Sequence, residues 1–264
     1  MIGDAAGAAE LRAEAAGVGG ASPHPGLVWP LRAWDTGFAL LQGRFADAER
    51  LAAEALPIGV RIGHPFARPV HRGHCGLLAF ERRNFDEVFV SFDPARRFHR
   101  GAVQWAHAFV GRALFAAGRT EEAAARLARL GRDAFRGVPR NIRWTGTAIE
   151  AANLCADLAD AERAAELAPL LEPVASQHAV LALPVCYGGP ATHALGRLYT
   201  VLGRHDEARE ALDEARASAA ALGARPAVRR IELDLAAHHE RHGSRSAARE
   251  HHAAAAALTT ELGL

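Results

Sequence analysis

The sequence predicts an all-α chain, a stack of about six helical hairpins, and three observations carry that expectation. One phrase recurs six times: GRFADAERLAAEAL from Gly43, RNFDEVFVSF from Arg83, GRTEEAAARLARL from Gly118, LADAERAAELAPLL from Leu158, GRHDEAREALDEA from Gly203 and GSRSAAREHHAAAAAL from Gly243. The turn residues Gly43, Arg83, Gly118, Ala159, Gly203 and Gly243 are spaced by 40, 35, 41, 44 and 40 residues, the period of helix pairs joined by connections of varying length. Five residues beyond each turn stands a small residue, Ala48, Ala123, Ala164, Ala208 or Ala248, with Val88 as the exception.

Each phrase opens on a residue suited to ending a helix, because glycine takes the left-handed conformation after the last turn at little cost. Asp or Glu then enters the first turn of the next helix in most units, where a carboxylate favours the unpaired N–H groups and the positive end of the dipole. The alanine follows because two closely crossing helices cannot both carry large side chains at their contact, and Val88 implies a looser crossing in the second unit. The first helix of each hairpin reads as amphipathic, as Leu195, Leu198, Tyr199 and Leu202 illustrate in unit five. One apolar stripe cannot cover both faces of a hairpin, so each needs neighbours. Pro30, Pro65, Pro139, Pro184, Pro190 and Pro226 are expected between hairpins or near helix starts, outside every helix core. Residues 1–26 read as a leftover helix over about residues 4–16 followed by the Gly/Pro-rich break VGGASPHPG, and residues 27–264 as the repeat domain.

Composition removes several function classes. Thirty-one basic residues face thirty acidic ones, a net charge of +1, which argues against direct nucleic-acid binding. All the basic residues are Arg, so a Schiff-base lysine and a phosphate-loop lysine are both absent. The Arg- and Ala-rich usage suits a GC-rich bacterial genome. Cys75, Cys155 and Cys186 are odd in number and far apart, as buried thiols of a reducing compartment would be. The opening residues carry acids and no apolar run, and no stretch is long enough to span a bilayer, so a cytoplasmic protein without membrane contact is expected.

Within unit five, THALGRLYTVLGRHDEAREALDEA resembles a tetratricopeptide repeat (TPR), with Leu195, Gly196 and Tyr199 at its first-helix positions and Ala208, Leu212 and Ala215 at its second-helix ones. Units one, three and five carry this likeness best. Residues 27–264 are also similar to the C-terminal helical-repeat region of large bacterial ATP-binding regulators of the LuxR and adenylate-cyclase-associated kind, most clearly in FRGVPRNIRW, LADAERAAEL and GGPATHALGRL. The resemblance implies a right-handed α-solenoid and a habit of binding on its concave face. It implies no reaction, since neither a P-loop nor a cyclase sequence occurs in these residues.

His71, His74 and Cys75 share a helical face, yet a packing thiol explains them better than a metal. HHERH, from His238 to His242, resembles a zinc-protease helix, but no Glu directly follows a histidine that has a second histidine four residues on. No GxSxG or dinucleotide fingerprint occurs, and neither a metal nor a cofactor is expected. The register of the resemblance assigns the concave wall to Trp105, Arg112 and Phe115 in unit three, Asn153 and Asp157 in unit four, His193 and Arg197 in unit five, and Arg230 and Glu240 in unit six. A wall mixing aromatic and charged residues suits a peptide, a partner protein or a small organic effector. The same aromatics would serve equally in packing between hairpins if the register shifts by one.

The leading expectation is a non-enzymatic binding module. An enzyme of secondary metabolism, a lyase, isomerase or cyclase working in the hollow, is the alternative, and a stand-alone fragment of a transcriptional regulator is a third. The oligomeric state is not legible.

Overall fold

The computed structural model describes residues 5–21, 25–92, 103–141, 143–181 and 186–264. Among these the chain is predominantly helical: α1 (Ala5–Ala21), α2 (Pro25–Gln42), α3 (Phe45–Arg61), α4 (Ala67–Glu81), α5 (Phe85–Ser91), α6 (Val103–Ala116), α7 (Thr120–Leu130), α8 (Trp144–Asp157), α9 (Ala161–Leu171), α10 (Ala191–Val201), α11 (His205–Ala221), α12 (Arg225–Arg241) and α13 (Arg245–Leu262). Two short strands, β1 (His178–Leu181) and β2 (Cys186–Pro190), pair antiparallel between α9 and α10. They lie within the longest spacing between turn residues. The sequence reading expected no strand here, but a chain of aliphatic residues between a helix end and Gly188-Gly189-Pro190 has little means of continuing a helix.

The six expected turns share one geometry. Gly43, Arg83, Gly118, Ala159, Gly203 and Gly243 all have positive φ, between 53° and 80°. In each, the N–H one residue on reaches back to a carbonyl of the preceding helix: Arg44 to Ala39, Asn84 to Ala79, Arg119 to Leu114, Asp160 to Cys155, Arg204 to Tyr199 and Ser244 to His239, at 2.8 to 3.1 Å. This closes the orphan carbonyls of the helix end. Arg83 and Ala159 adopt the left-handed conformation despite their Cβ atoms, at a cost of roughly 1–2 kcal/mol each.

Each turn joins two helices in extensive contact: α2 with α3, α4 with α5, α6 with α7, α8 with α9, α10 with α11 and α12 with α13. Ala48, Val88, Ala123, Ala164, Ala208 and Ala248 are all buried. Neighbouring pairs then meet chiefly through first helices, α6 with α8 and α8 with α10, or through a second helix and the next first helix, α3 with α4 and α11 with α12. Within a pair, Gly196 of α10 shows how closely the two helices approach, since a Cβ there would stand 2.8 Å from Leu212 Cγ and 3.2 Å from the Ala208 carbonyl of α11.

The first pair also touches the last. α2 contacts α12, and Leu262 at the end of α13 packs with Ala39, Leu40 and Phe45. Gly43 lacks a side chain at the spot that Leu262 and Pro226 occupy. The β-hairpin contacts α2, α8, α10 and α11, bridging members of both halves.

Two expectations need correction. Pro30 lies inside α2 rather than at its edge, more than a turn from the start. At the N-terminus α1 runs through Gly17, Gly19 and Gly20 to Ala21, so the helix is longer and the break shorter than composition implied. Arg12 bonds Asp35 at 2.5 Å and ties α1 to α2. Pro184 lies outside the described residues. No helix among the described residues is long and apolar enough to cross a membrane.

Candidate functional site

The first helices of the pairs, α4, α6, α8, α10 and α12, carry polar side chains toward one another at helical spacing. On α8, Glu150, Asn153 and Asp157 fall on one stripe. His193 and Arg197 do so on α10, and Arg230 and Asp234 on α12. Arg112 of α6 donates Nη1 to Glu150 Oε2 at 3.0 Å and Nε to Asp157 Oδ2 at 3.3 Å. Arg197 donates Nη2 to Asp157 Oδ1 at 2.7 Å and Nη1 to Asn153 Oδ1 at 3.1 Å, and its Nε stands 3.4 Å from Asp234 Oδ2. His193 Nε2 completes the series at 2.7 Å from the same Asp234 oxygen.

Formally, two guanidiniums face three carboxylates, so the cluster carries one negative charge with His193 neutral. Burial lowers the pKa of His193, although the Asp234 hydrogen bond works against it. Burial would raise the Asp234 carboxyl, but Arg197 and His193 outweigh it and hold the carboxyl below its usual range. With the Nε2 proton given to Asp234, neutral His193 keeps a lone pair on Nδ1. Nδ1 has no hydrogen-bond partner among the described residues. Such a nitrogen can accept a proton or a hydrogen bond from a ligand.

Beside this cluster lies a small, open recess between α2, α4, β2 and α12. Leu40, Leu41, Leu77 and Pro226 form its apolar side, and Glu81, Arg230 and Tyr187 its polar side. Arg230 pairs with Glu81, and the Tyr187 hydroxyl hydrogen-bonds His178 Nδ1 at 2.9 Å. Burial raises the Tyr187 pKa, partly opposed by the charge of Arg230, which also acts on His193. Recess and cluster are therefore electrostatic neighbours.

Of the nine wall residues expected from sequence, Arg112, Asn153, Asp157, His193 and Arg197 meet in the cluster, and Arg230 lines the recess. Trp105 stacks on Phe109 at 5.1 Å and is covered edge-on by Phe92 at 5.6 Å, so it serves the core rather than a ligand. Phe115 packs partly buried against the same core. Glu240 is exposed, paired with His252 at 2.9 Å, and apart from the cluster.

Sequence reasoning missed Glu150, Asp234 and Glu81. For the first two a signal existed: Glu150 is the one charged residue in the mostly apolar TAIEAANLCA, three residues before Asn153, and Asp234 follows Arg230 by one helical turn. Glu240, ten residues past Arg230, falls off that stripe. The thiols stand apart: Cys155 donates to the Asp160 carbonyl at 3.0 Å, and burial raises its pKa to about 12. Set against known protein families and curated proteins, the chain matches no family model and no curated protein.

Proposed function

We propose that this chain is a TPR-like helical-repeat module that binds a small polar organic effector in the hollow between its first helices. The carrying observation is the convergence of Arg112, Asn153, Asp157, His193 and Arg197, five positions assigned to the inner wall by repeat register, into one polar cluster beside the Arg230 recess. Contact between the first and last pairs favours a small ligand over an extended peptide, because no open channel separates those pairs. Arg230 supplies an anchor for a carboxylate or phosphate, Tyr187 a hydrogen bond, and Leu40, Leu41 and Leu77 an apolar wall.

A thermal-shift screen of small carboxylates, phosphates and zwitterions tests this. The expected result is stabilisation of the wild type that disappears in Arg230→Gln and in Tyr187→Phe. Binding of a long peptide or protein that neither variant weakens would overturn it.

A second reading, an enzyme using the same hollow, is favoured by one observation: His193 is oriented by Asp234, which Arg197 holds in turn, with Nδ1 left free. If it holds, His193→Asn abolishes turnover of the bound compound while leaving its binding intact. Recovery of the compound unchanged from the wild type would leave the module a binder.

A further inference from the structure

The C-terminal part of α12 gathers histidines that the hollow does not use. The ring of His242 stands 4.3 Å from that of His205 on α11 and 4.5 Å from that of His238. His238 is 5.6 Å from His239, which stacks nearly parallel on His251 of α13 at 5.2 Å. Five imidazoles from three helices thus form one continuous chain across the junction between the last pair and its predecessor. His238 is buried, whereas His205 and His242 are exposed.

The charged groups around His238, the buried member of the chain, do little to prepare it for protonation. From α11, Arg209 acts on both His238 and His239, and Asp213 acts on His239 alone. His251 hydrogen-bonds Glu232 of α12 at 2.6 Å, and Glu232 also faces Arg216 at 3.8 Å. At the margin His252 pairs with Glu240. Burial first, and then the neighbouring imidazoles, lower the pKa values of His238 and His239. No carboxylate is hydrogen-bonded to His238 among the described residues.

α12 is also the helix that joins the hollow to the closure of the chain. Asp234, one turn before His238, holds His193 and Arg197, while Arg230 pairs with Glu81 and Pro226 meets Gly43. A displacement of α12 therefore alters both the polar cluster and the contact with the first pair.

We propose that the histidine chain makes the last helix pair acid-labile: acidification sets like charges against one another along the line of imidazoles, loosens α12 and α13, and parts them from the first pair. The sign follows from linkage. A histidine whose pKa is lowered in the closed arrangement binds its proton more readily once that arrangement opens. Closure is thus fully stabilised above the ordinary histidine range and is lost as pH falls through and below it. Release of whatever occupies the hollow would follow, a consequence that rests on the binding reading above.

Hydrogen–deuterium exchange on the intact chain, at about pH 7.5 and about pH 5.5 and corrected for intrinsic rates, tests the proposal. Peptides from α12 and α13 are expected to exchange severalfold faster at the lower pH relative to those from α8. The double variant His205→Gln, His242→Gln alters only exposed rings and should lose part of that acceleration. In parallel, the wild-type His238 ring resonance should titrate below the free-histidine range, over the interval in which exchange accelerates. Equal protection at both pH values, acceleration spread evenly over α2 to α13, or an unchanged response in the double variant would overturn the proposal. No ligand takes part, so this outcome and that of the binding screen are independent.

Discussion

Arginine–carboxylate pairs occur in two settings in this molecule, and they differ in what they record. On the outside, Arg44–Asp47, Arg50–Glu54, Arg119–Glu122 and Arg204–Glu207 join residues three or four apart on one helix or at its cap, all of them solvent-exposed. Inside, Arg112 and Arg197 reach residues 37 to 45 positions away on other helices, and their side chains are only 14% and 16% exposed. The outer pairs follow from helical periodicity, and water and salt screen them. The inner pairs exist only once α6, α8, α10 and α12 stand together, and each charge there depends on its partners because water no longer solvates it fully. Identical chemistry therefore reports local sequence in one place and tertiary arrangement in the other.

That contrast breaks most visibly if Arg197 is removed. Arg197→Met leaves Asp157 and Asp234 without their shared partner and should cost about 3–5 kcal/mol, read as a lower urea midpoint. A midpoint within error of wild type would mean that the cluster is solvated like the outer pairs. Next in size is Leu262→Ala, which opens a gap between the last helix and the first pair and should cost about 2 kcal/mol; no change in melting temperature would show that the ends do not meet. In the opposite direction, Ala159→Gly relieves a left-handed alanine and should stabilise by roughly 0.5–1 kcal/mol.

A subtler effect concerns slope rather than value. Because the His193 pKa is lowered in the fold, its contribution to stability is complete above about pH 6.5 and declines as pH falls below that. His193→Gln should flatten that part of the stability–pH curve, and an unaltered slope would place its titration elsewhere. Smallest of all, Arg50→Ala should leave the denaturation midpoint where it is, since its pairs with Asp47 and Glu54 are fully exposed.

The turns were the most legible part of the chain. Even Arg83 and Ala159, which replace glycine, take the left-handed conformation that the spacing of the phrases required. A helix end is a local event: five or six neighbouring residues decide it through hydrogen bonds that close within one turn. The inner wall was legible in part. Register placed Arg112, Asn153, Asp157, His193 and Arg197 on the facing sides of their helices, but depth along a helix is not a periodic property. Trp105 lies two turns from Arg112 on the same face and is nonetheless roofed by Phe92, a neighbour that no spacing within α6 reveals. Glu81 was missed for a related reason, since it joins the recess through Arg230, a partner distant in the chain.

By itself the sequence determined the helices, their ends, the pairing across six turns and the small residues at each crossing, because these depend on hydrogen bonds and steric contacts within about forty residues. Tertiary structure alone decided that the last pair meets the first, that a strand hairpin packs against α2, α8, α10 and α11, and that opposite charges from four helices pair inside. Those outcomes turn on which surfaces lose their water together, and desolvation is a property of the assembled fold rather than of any segment.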